Sequence, residues 1–118
     1  MTRNVIVILA VVIVLGGLFF LLRPDTRAAG PRERTFDVSI EGGEMNPAEI
    51  SVNEGDTVTL HISSDERMEL HVHGYDLERS VGPGPAADAQ FEADLTGRFE
   101  IEDHETEREL GVLQVRPR

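Results

Sequence analysis

The sequence predicts an all-β domain, a sandwich or small barrel of about seven short strands, preceded by one N-terminal apolar helix. Two observations carry this prediction. An uncharged run of 18 residues occupies positions 5–22. After position 34, apolar side chains recur at every second residue in seven successive segments, which is the period of half-buried strands. The chain contains no cysteine, which excludes disulfides, thiolate metal sites and thiol nucleophiles.

The apolar run is long enough to cross a bilayer. A helix of 18 residues spans roughly 27 Å, close to the thickness of the hydrocarbon core. We therefore expect a transmembrane signal anchor over residues 1–22, in contact with the lipid bilayer through residues 5–22. A cleaved signal peptide is an alternative, because Ala28-Ala29-Gly30 resembles a small-residue cleavage site, and a buried soluble helix is another. The first two interpretations imply export.

The orientation of the anchor is predicted from the residues around it. More arginines follow the apolar run than precede it, which taken literally would keep the C-terminal part inside. The positive-inside rule applies mainly to short loops, and a C-terminal part of 96 residues can cross despite flanking charge. We expect a single-pass protein of the cell membrane with an extracytoplasmic C-terminal domain. Residues 23–34, rich in Pro, Gly, Ala and Arg, are predicted to form a flexible juxtamembrane linker.

The β pattern fills residues 35–118. Clusters of Gly, Pro, Asn, Asp and Ser separate the apolar runs and are typical of turns. Residues 36–118 hold 20 acidic residues against six arginines, so the domain repels phosphate backbones and no nucleic-acid partner is expected. The seven runs are Phe36/Val38/Ile40, Ile50/Val52, Val58/Leu60/Ile62, Met68/Leu70/Val72, Phe91/Ala93/Leu95, Phe99/Ile101 and Leu113/Val115.

Several of these segments resemble a known family. Residues 47–60, PAEISVNEGDTVTL, resemble the P-x-x-I-x-V-x-x-G-D-x-V-x-L run of cupredoxin-like domains, and residues 70–76, LHVHGYD, are similar to the segment that carries that family's first copper histidine. Residues 97–101 and 110–115 resemble its final two strands. The resemblance covers most of residues 35–116 and is closest to the bacterial membrane-tethered, EfeO-type cupredoxin-like proteins. It implies a cupredoxin-like Greek-key β-sandwich.

The chain departs from this family at the metal site. The family's blue-copper centre takes a Cys thiolate, a second His and usually a Met from the loop between the last two strands. With Gly111 aligned to the glycine that closes this loop, the resemblance places His104 at the second His, Ile101 at the Cys and Glu109 at the Met. Without the thiolate, electron transfer of the blue-copper type is not expected.

The histidine pair supports a different metal site. His71 and His73 are two residues apart on a predicted strand, so both imidazoles project from one face with Cα atoms about 6.6 Å apart. We predict that His71, His73, His104 and Glu109 bind Cu(II) or another divalent metal, with Glu105 as the alternative carboxylate, because their donors suit Cu(II), Zn(II) or Ni(II). Which of the first two histidines holds the family's first position stays open. The competing interpretation is that the pair is simply exposed and polar, with His73 fixing the turn.

These observations favour a binding module over an enzyme, because no nucleophile frame or phosphate loop is present and about 84 residues leave little room for a substrate cleft. The first hypothesis is copper or related metal handling at the membrane surface through the histidine cluster. The second is a metal-free β-sandwich that acts as a protein-interaction domain with a membrane or extracytoplasmic partner.

Overall fold

The computed structural model describes residues 2–24 and 29–118, so Met1 and residues 25–28 of the predicted linker lie outside the described residues. Helix α1 covers Thr2–Leu21, and none of its residues is buried. It is long and apolar enough to cross a membrane, although a signal sequence meets the same criterion. The predicted N-terminal apolar helix is therefore confirmed.

Nine strands follow the helix in the described part of the chain, two more than predicted. Most of them contain one of the predicted alternating runs. They are β1 Glu33–Glu41, β2 Glu44–Asn46, β3 Glu49–Asn53, β4 Thr57–Ser64, β5 Met68–Val72, β6 Leu77–Val81, β7 Ala87–Glu92, β8 Gly97–Asp103 and β9 Arg108–Arg116.

The strands form two sheets that pack face to face. One has the order β2-β1-β4-β7 and the other β3-β9-β8-β5-β6. The pairs β1/β4 and β3/β9 are parallel, and the other pairs are antiparallel. Only β1–β2, β5–β6 and β8–β9 are both consecutive and in one sheet, so the chain crosses repeatedly between the two layers. Of the two predicted architectures, the sandwich is confirmed.

The alternation of apolar residues places one side chain in two into the core. Burying each aliphatic side chain stabilises the fold by about 1.5–3 kcal/mol, so the two inner faces supply most of the driving force. The outer faces carry the polar partners of the alternation. The core includes Val38, Ile40, Leu60, Ile62, Val72, Ile101 and Leu113, none more than 2% exposed.

Strands β2 and β6 were not predicted from the sequence, because each buries only one residue. Met45 is the one buried residue of β2, and Val81 is that of β6. A single inward side chain shows no period of two, so neither segment was visible in the sequence.

The strand predicted over residues 91–95 is wrong in position. Strand β7 runs over Ala87–Glu92, and the chain then turns back towards β8. Ala93 exchanges backbone hydrogen bonds with the β3–β4 turn, accepting from Gly55 N at 2.9 Å and donating to Asp56 O at 2.8 Å. Leu95 falls in the turn that follows and is 46% exposed. Its apolar side chain therefore extended the alternation by chance.

The folded domain begins slightly before the predicted boundary. Strand β1 starts at Glu33, and Arg32 already contacts the sandwich. The Arg32 N–H donates to Asp56 Oδ1 at 3.0 Å, and its carbonyl accepts from Thr57 N–H at 2.9 Å. The end of the predicted linker is thus hydrogen-bonded to the β3–β4 turn.

Candidate metal centre

Three of the four histidines lie together on the outer face of the five-stranded sheet. His71 lies in β5 between the buried Leu70 and Val72, so its side chain projects away from the core. His73 follows directly after the end of β5, and His104 follows the end of β8. Because β5 and β8 are antiparallel neighbours, His73 lies beside Glu100 on one side of His71, and His104 lies beside Glu69 on the other.

The imidazole rings are close enough to act on one site. The centroid of the His71 ring is 4.9 Å from that of His73 and 5.4 Å from that of His104. His71 is the most enclosed of the three, with 18% of its side chain exposed against 47% for His73, and His104 is also exposed. The structure therefore brings together the three histidines that were singled out from the sequence, with His71 at the centre.

The carboxylate that joins the histidines is Glu102 of β8. It lies directly opposite His71 in the β5–β8 register. Its Oε1 atom is 2.5 Å from His73 Nε2 and 3.6 Å from His71 Nδ1, and its side chain is only 14% exposed. The hydrogen bond with His73 lowers the pKa of Glu102 and outweighs the opposing effect of burial. Glu102 is thus held as an anion among three imidazoles.

The ligand atoms form two overlapping groups. Within each group, one atom from every side chain lies within 4.8 Å of the others, and Glu102 belongs to both. Sequence reasoning missed Glu100 and Glu102, although both alternate with the apolar Ile101 and so had to face outward on a strand. The first group is His71, Glu102 and His104, and the second is His73, Glu100 and Glu102.

Glu109 and Ile101 occupy different surroundings. Glu109 is exposed on β9, opposite Glu102 in the register, but it does not belong to either group of converging ligand atoms within the described residues. Ile101, at the position that the resemblance gives to the thiolate, is 1% exposed and packs in the core. Its side chain faces the interior of the sandwich, away from the outward-facing histidines.

The His71 imidazole shows that this donor set fits a metal ion. Its Nδ1 atom is buried and has no hydrogen-bond partner among the described residues, since 3.6 Å to Glu102 is too long for a hydrogen bond. An unsatisfied buried polar atom costs about 1–3 kcal/mol, which a bound cation would offset. Imidazole nitrogens with carboxylate oxygens fit Cu(II), Zn(II) or Ni(II), whereas a blue-copper ion would need a thiolate that is absent.

The fourth histidine is separate from this centre. His61 lies in β4 of the other sheet, directly opposite Asp88 of β7, and its Nδ1 atom pairs with the Asp88 carboxylate. The hydrogen bond that His61 donates to the Asp88 carboxylate is the main cause that raises the pKa of His61, and the negative charge of Asp88 is the second. His61 therefore has its own carboxylate partner and serves as an internal control for the other three.

The comparisons with known proteins place the fold. No protein-family model and no curated protein matches the sequence. Among solved structures, the chain is similar to the multicopper oxidase mgLAC (TM-score 0.60, 21% identity), with 73% of this chain and 39% of that chain covered. A blue copper oxidase from Nitrosomonas europaea gives a TM-score of 0.58 at 24% identity, with the same two coverages.

A third likeness extends over nearly the whole molecule. A chain in a structure of a heme-copper terminal oxidase dimer matches with a TM-score of 0.60 at 12% identity, covering 98% of this chain and 99% of that chain. Coverage of that extent includes helix α1 as well as the sandwich. The fold is a cupredoxin-like β-sandwich. The chain spans about two fifths of the length of the copper oxidases, which it therefore resembles over one domain.

Proposed function

We propose that this chain is a membrane-anchored module that binds one or more divalent metal ions, with Cu(II) as the first candidate. The ligands are His71, His73 and His104 with Glu102. One observation carries this proposal: three imidazoles from two separate parts of the chain converge on a single carboxylate. Among the described residues, the hydrogen bond between His73 and Glu102 leaves His71 Nδ1 and the His104 imidazole without a role, and a bound cation would give both a partner.

The ligand chemistry favours binding over electron transfer. Nitrogen and oxygen donors hold Cu(II) firmly, whereas the short copper–sulfur bond of a blue-copper centre needs a thiolate. Because His73 and His104 are exposed, a bound ion is accessible to solvent and exchanges its remaining ligands easily. The proposed role is therefore handling or sensing of the metal, not catalysis.

The placement of the module follows from helix α1. An apolar helix of 20 residues with no buried residue is stable only when lipid or another apolar surface covers it. We propose that residues 5–22 lie in the membrane and that the sandwich lies on the extracytoplasmic side, tied to the bilayer by the short segment between Leu22 and Arg32. The metal centre then faces the aqueous phase close to the membrane.

A second function is favoured by the likeness over the whole chain. The matching chain, covered over 99% of its length, comes from a structure of a heme-copper terminal oxidase dimer. The alternative proposal is that this chain uses its metal-free sandwich as an interaction domain for a partner protein in the same membrane. This function needs no metal, so substitution of the histidines leaves it intact.

Titration calorimetry of the full-length chain in detergent micelles with Cu(II) and Zn(II) near pH 7 tests the first function. We expect stoichiometric binding with micromolar or tighter affinity, with at least one ion lost or bound at least about tenfold more weakly in His73→Ala and in His104→Ala. The matched control is His61→Ala, which removes a histidine from the other sheet and is expected to bind as the wild type does. Weak binding that survives all three substitutions would leave only the acidic surface attracting cations and would favour the interaction function.

A further inference from the structure

The centre offers more ligands than a single ion uses. Five side chains supply donors, three imidazoles and two carboxylates, and they divide into two groups. Neither group contains all three histidines, and Glu102 is their one common member. Zn(II) in proteins takes about four ligands, of which three come from the protein in an open site. Each group of three is therefore sufficient for an ion of its own.

The backbone register explains why the two groups lie on either side of Glu102. His71 is opposite Glu102 in the middle of this face. The His73 N–H donates to the Glu100 carbonyl at 3.0 Å, which places His73 beside Glu100, one outward-facing step along β8. Outward-facing residues on a strand recur about every 6.6 Å, so Glu100 and the adjacent His73 lie one such step along the sheet from Glu102 and His71.

The first group extends in the opposite direction. The His104 N–H donates to the Glu69 carbonyl at 2.8 Å, so His104 lies beside β5 on the other side of the His71–Glu102 pair. The ring contact between His71 and His104 belongs to this half, and the hydrogen bond between His73 and Glu102 belongs to the other. Glu102 thus lies between His71 and His104 on one side and His73 and Glu100 on the other, and its carboxylate has two oxygen atoms.

The charge of this face also suits two cations. Around the histidines, the outer face carries carboxylates from β5, β6, β8 and β9, and no arginine forms an ion pair with any of these carboxylates among the described residues. A single divalent ion offsets less than half of the negative charge of these five carboxylates. The carboxylates are Glu69, Glu78, Glu100, Glu102 and Glu109.

We infer that the centre holds two divalent metal ions bridged by the Glu102 carboxylate. One ion is bound by His71 and His104, and the other by His73 and Glu100. This inference rests on the proposed metal-binding function and adds its stoichiometry. The bridge also explains why Glu102 is the least exposed of the carboxylates that contact the histidines: a carboxylate shared by two cations gains most from being kept out of water.

Native mass spectrometry counts the bound ions directly. The full-length chain is released from micelles after Cu(II) has been added in increasing ratio. We expect two copper ions at saturation in the wild type and one in each of His104→Ala and His73→Ala. Glu102→Gln, which keeps the shape of the side chain, is expected to lower the affinity for each of the two ions at least about tenfold. The control Glu109→Gln changes a neighbouring carboxylate outside both groups and is expected to retain both ions.

Electron paramagnetic resonance of the copper-loaded chain provides an independent measure. Two Cu(II) ions that share a carboxylate give a coupled spectrum, whereas each histidine variant with one ion gives the spectrum of isolated Cu(II). Circular dichroism of every variant verifies that the sandwich is folded. Saturation at one ion overturns the two-ion centre and leaves the proposed function standing, and no binding overturns both. If two ions bind, their spectrum is uncoupled and Glu102→Gln does not change their affinity, the bridging role of Glu102 is overturned.

Discussion

Glu102 lies directly opposite His71 across the β5–β8 pair, with its Oε1 atom 3.6 Å from the imidazole Nδ1 and 2.5 Å from Nε2 of His73. The carboxylate thus contacts two histidines of one strand end from the neighbouring strand. A separation of 3.6 Å is too long for a direct hydrogen bond, so His71 Nδ1 is left for another partner. Glu102 therefore joins the histidines of the proposed centre, although it was not among the ligands predicted from the sequence.

The first prediction compares two carboxylates that face each other across β8 and β9. Glu102→Gln is expected to raise the Cu(II) dissociation constant at least about tenfold, because it removes an anionic ligand shared by the histidines. Glu109→Gln removes the same charge from the opposite residue. Because it removes only a charge screened by solvent, it is expected to change the Cu(II) dissociation constant less than about threefold. Calorimetric titration of both variants measures the difference. Equal losses would mean that overall charge, and not ligation, attracts the metal.

The second prediction concerns the buried carboxylate of Asp56, which is 1% exposed. Backbone N–H groups of Asn53 and Arg32 donate to it at 3.0 Å each, and the Arg118 guanidinium pairs with it. We expect Asp56→Ala to lower the free energy of unfolding by about 2–4 kcal/mol, since it leaves two N–H donors and a cation without their partner. Urea denaturation at pH 7 measures this, with the exposed Asp94→Ala as a control expected within about 0.5 kcal/mol of wild type.

The third prediction is the pH dependence of that stabilisation. Burial alone would raise the pKa of Asp56, but the hydrogen bonds from Asn53 and Arg32 and the charge of Arg118 outweigh it and hold the pKa below the usual 3.8. A carboxyl group whose pKa is lowered by folding stabilises the fold above its unfolded pKa and loses this effect as the pH falls through its folded pKa. The stability difference between wild type and Asp56→Asn is therefore expected to be complete at pH 6 and to shrink below pH about 3.8. A difference that is constant down to pH 2 would contradict the assignment.

The fourth prediction uses the pair on the other sheet. Asp88 raises the pKa of His61 above the usual 6.5, so the pair stabilises the fold fully below the unfolded pKa and ceases to do so as the pH rises through the folded pKa. We expect Asp88→Asn to return the pKa of His61 towards 6.5, as followed by the imidazole NMR signals. The stability difference between the two proteins is expected below pH 6.5 and absent well above it. An unchanged His61 titration would show that the pair does not form.

The fifth prediction tests the packing where β9 passes the β2–β3 connection. A Cβ atom added at Gly111 would lie 2.4 Å from Met45 Cε and 2.7 Å from the Ala48 carbonyl oxygen. Because the carbonyl oxygen is backbone and accepts a hydrogen bond from Val112 N–H, it cannot move aside freely. Gly111→Ala is expected to destabilise the domain by about 1–3 kcal/mol in urea denaturation. Gly30→Ala has no heavy atom within 4 Å of the added Cβ and is expected to leave stability unchanged.

The sequence was sufficient to predict the fold class, because burial of one face of each strand makes apolar residues recur at every second position. The helix appears as an unbroken apolar run, and each long strand appears as alternating residues such as Val58, Leu60 and Ile62, all buried as expected. Strands β2 and β6 were missed because one buried residue each makes no period, and Leu95 misled the prediction because its neighbours happened to alternate with it.

The sequence by itself also singled out the three histidines that the structure brings close together. His71 and His73 share a strand end by their spacing, and the resemblance pointed to His104 as their partner from the last loop. Only the tertiary structure decided the remaining members of the centre. Strand register places Glu102 opposite His71 and Glu100 beside His73, and it leaves Glu109 outside both groups of converging ligand atoms. Register is set by the packing of two whole sheets, together with an irregularity between Ile101 and Glu102, and no local pattern of residues encodes it.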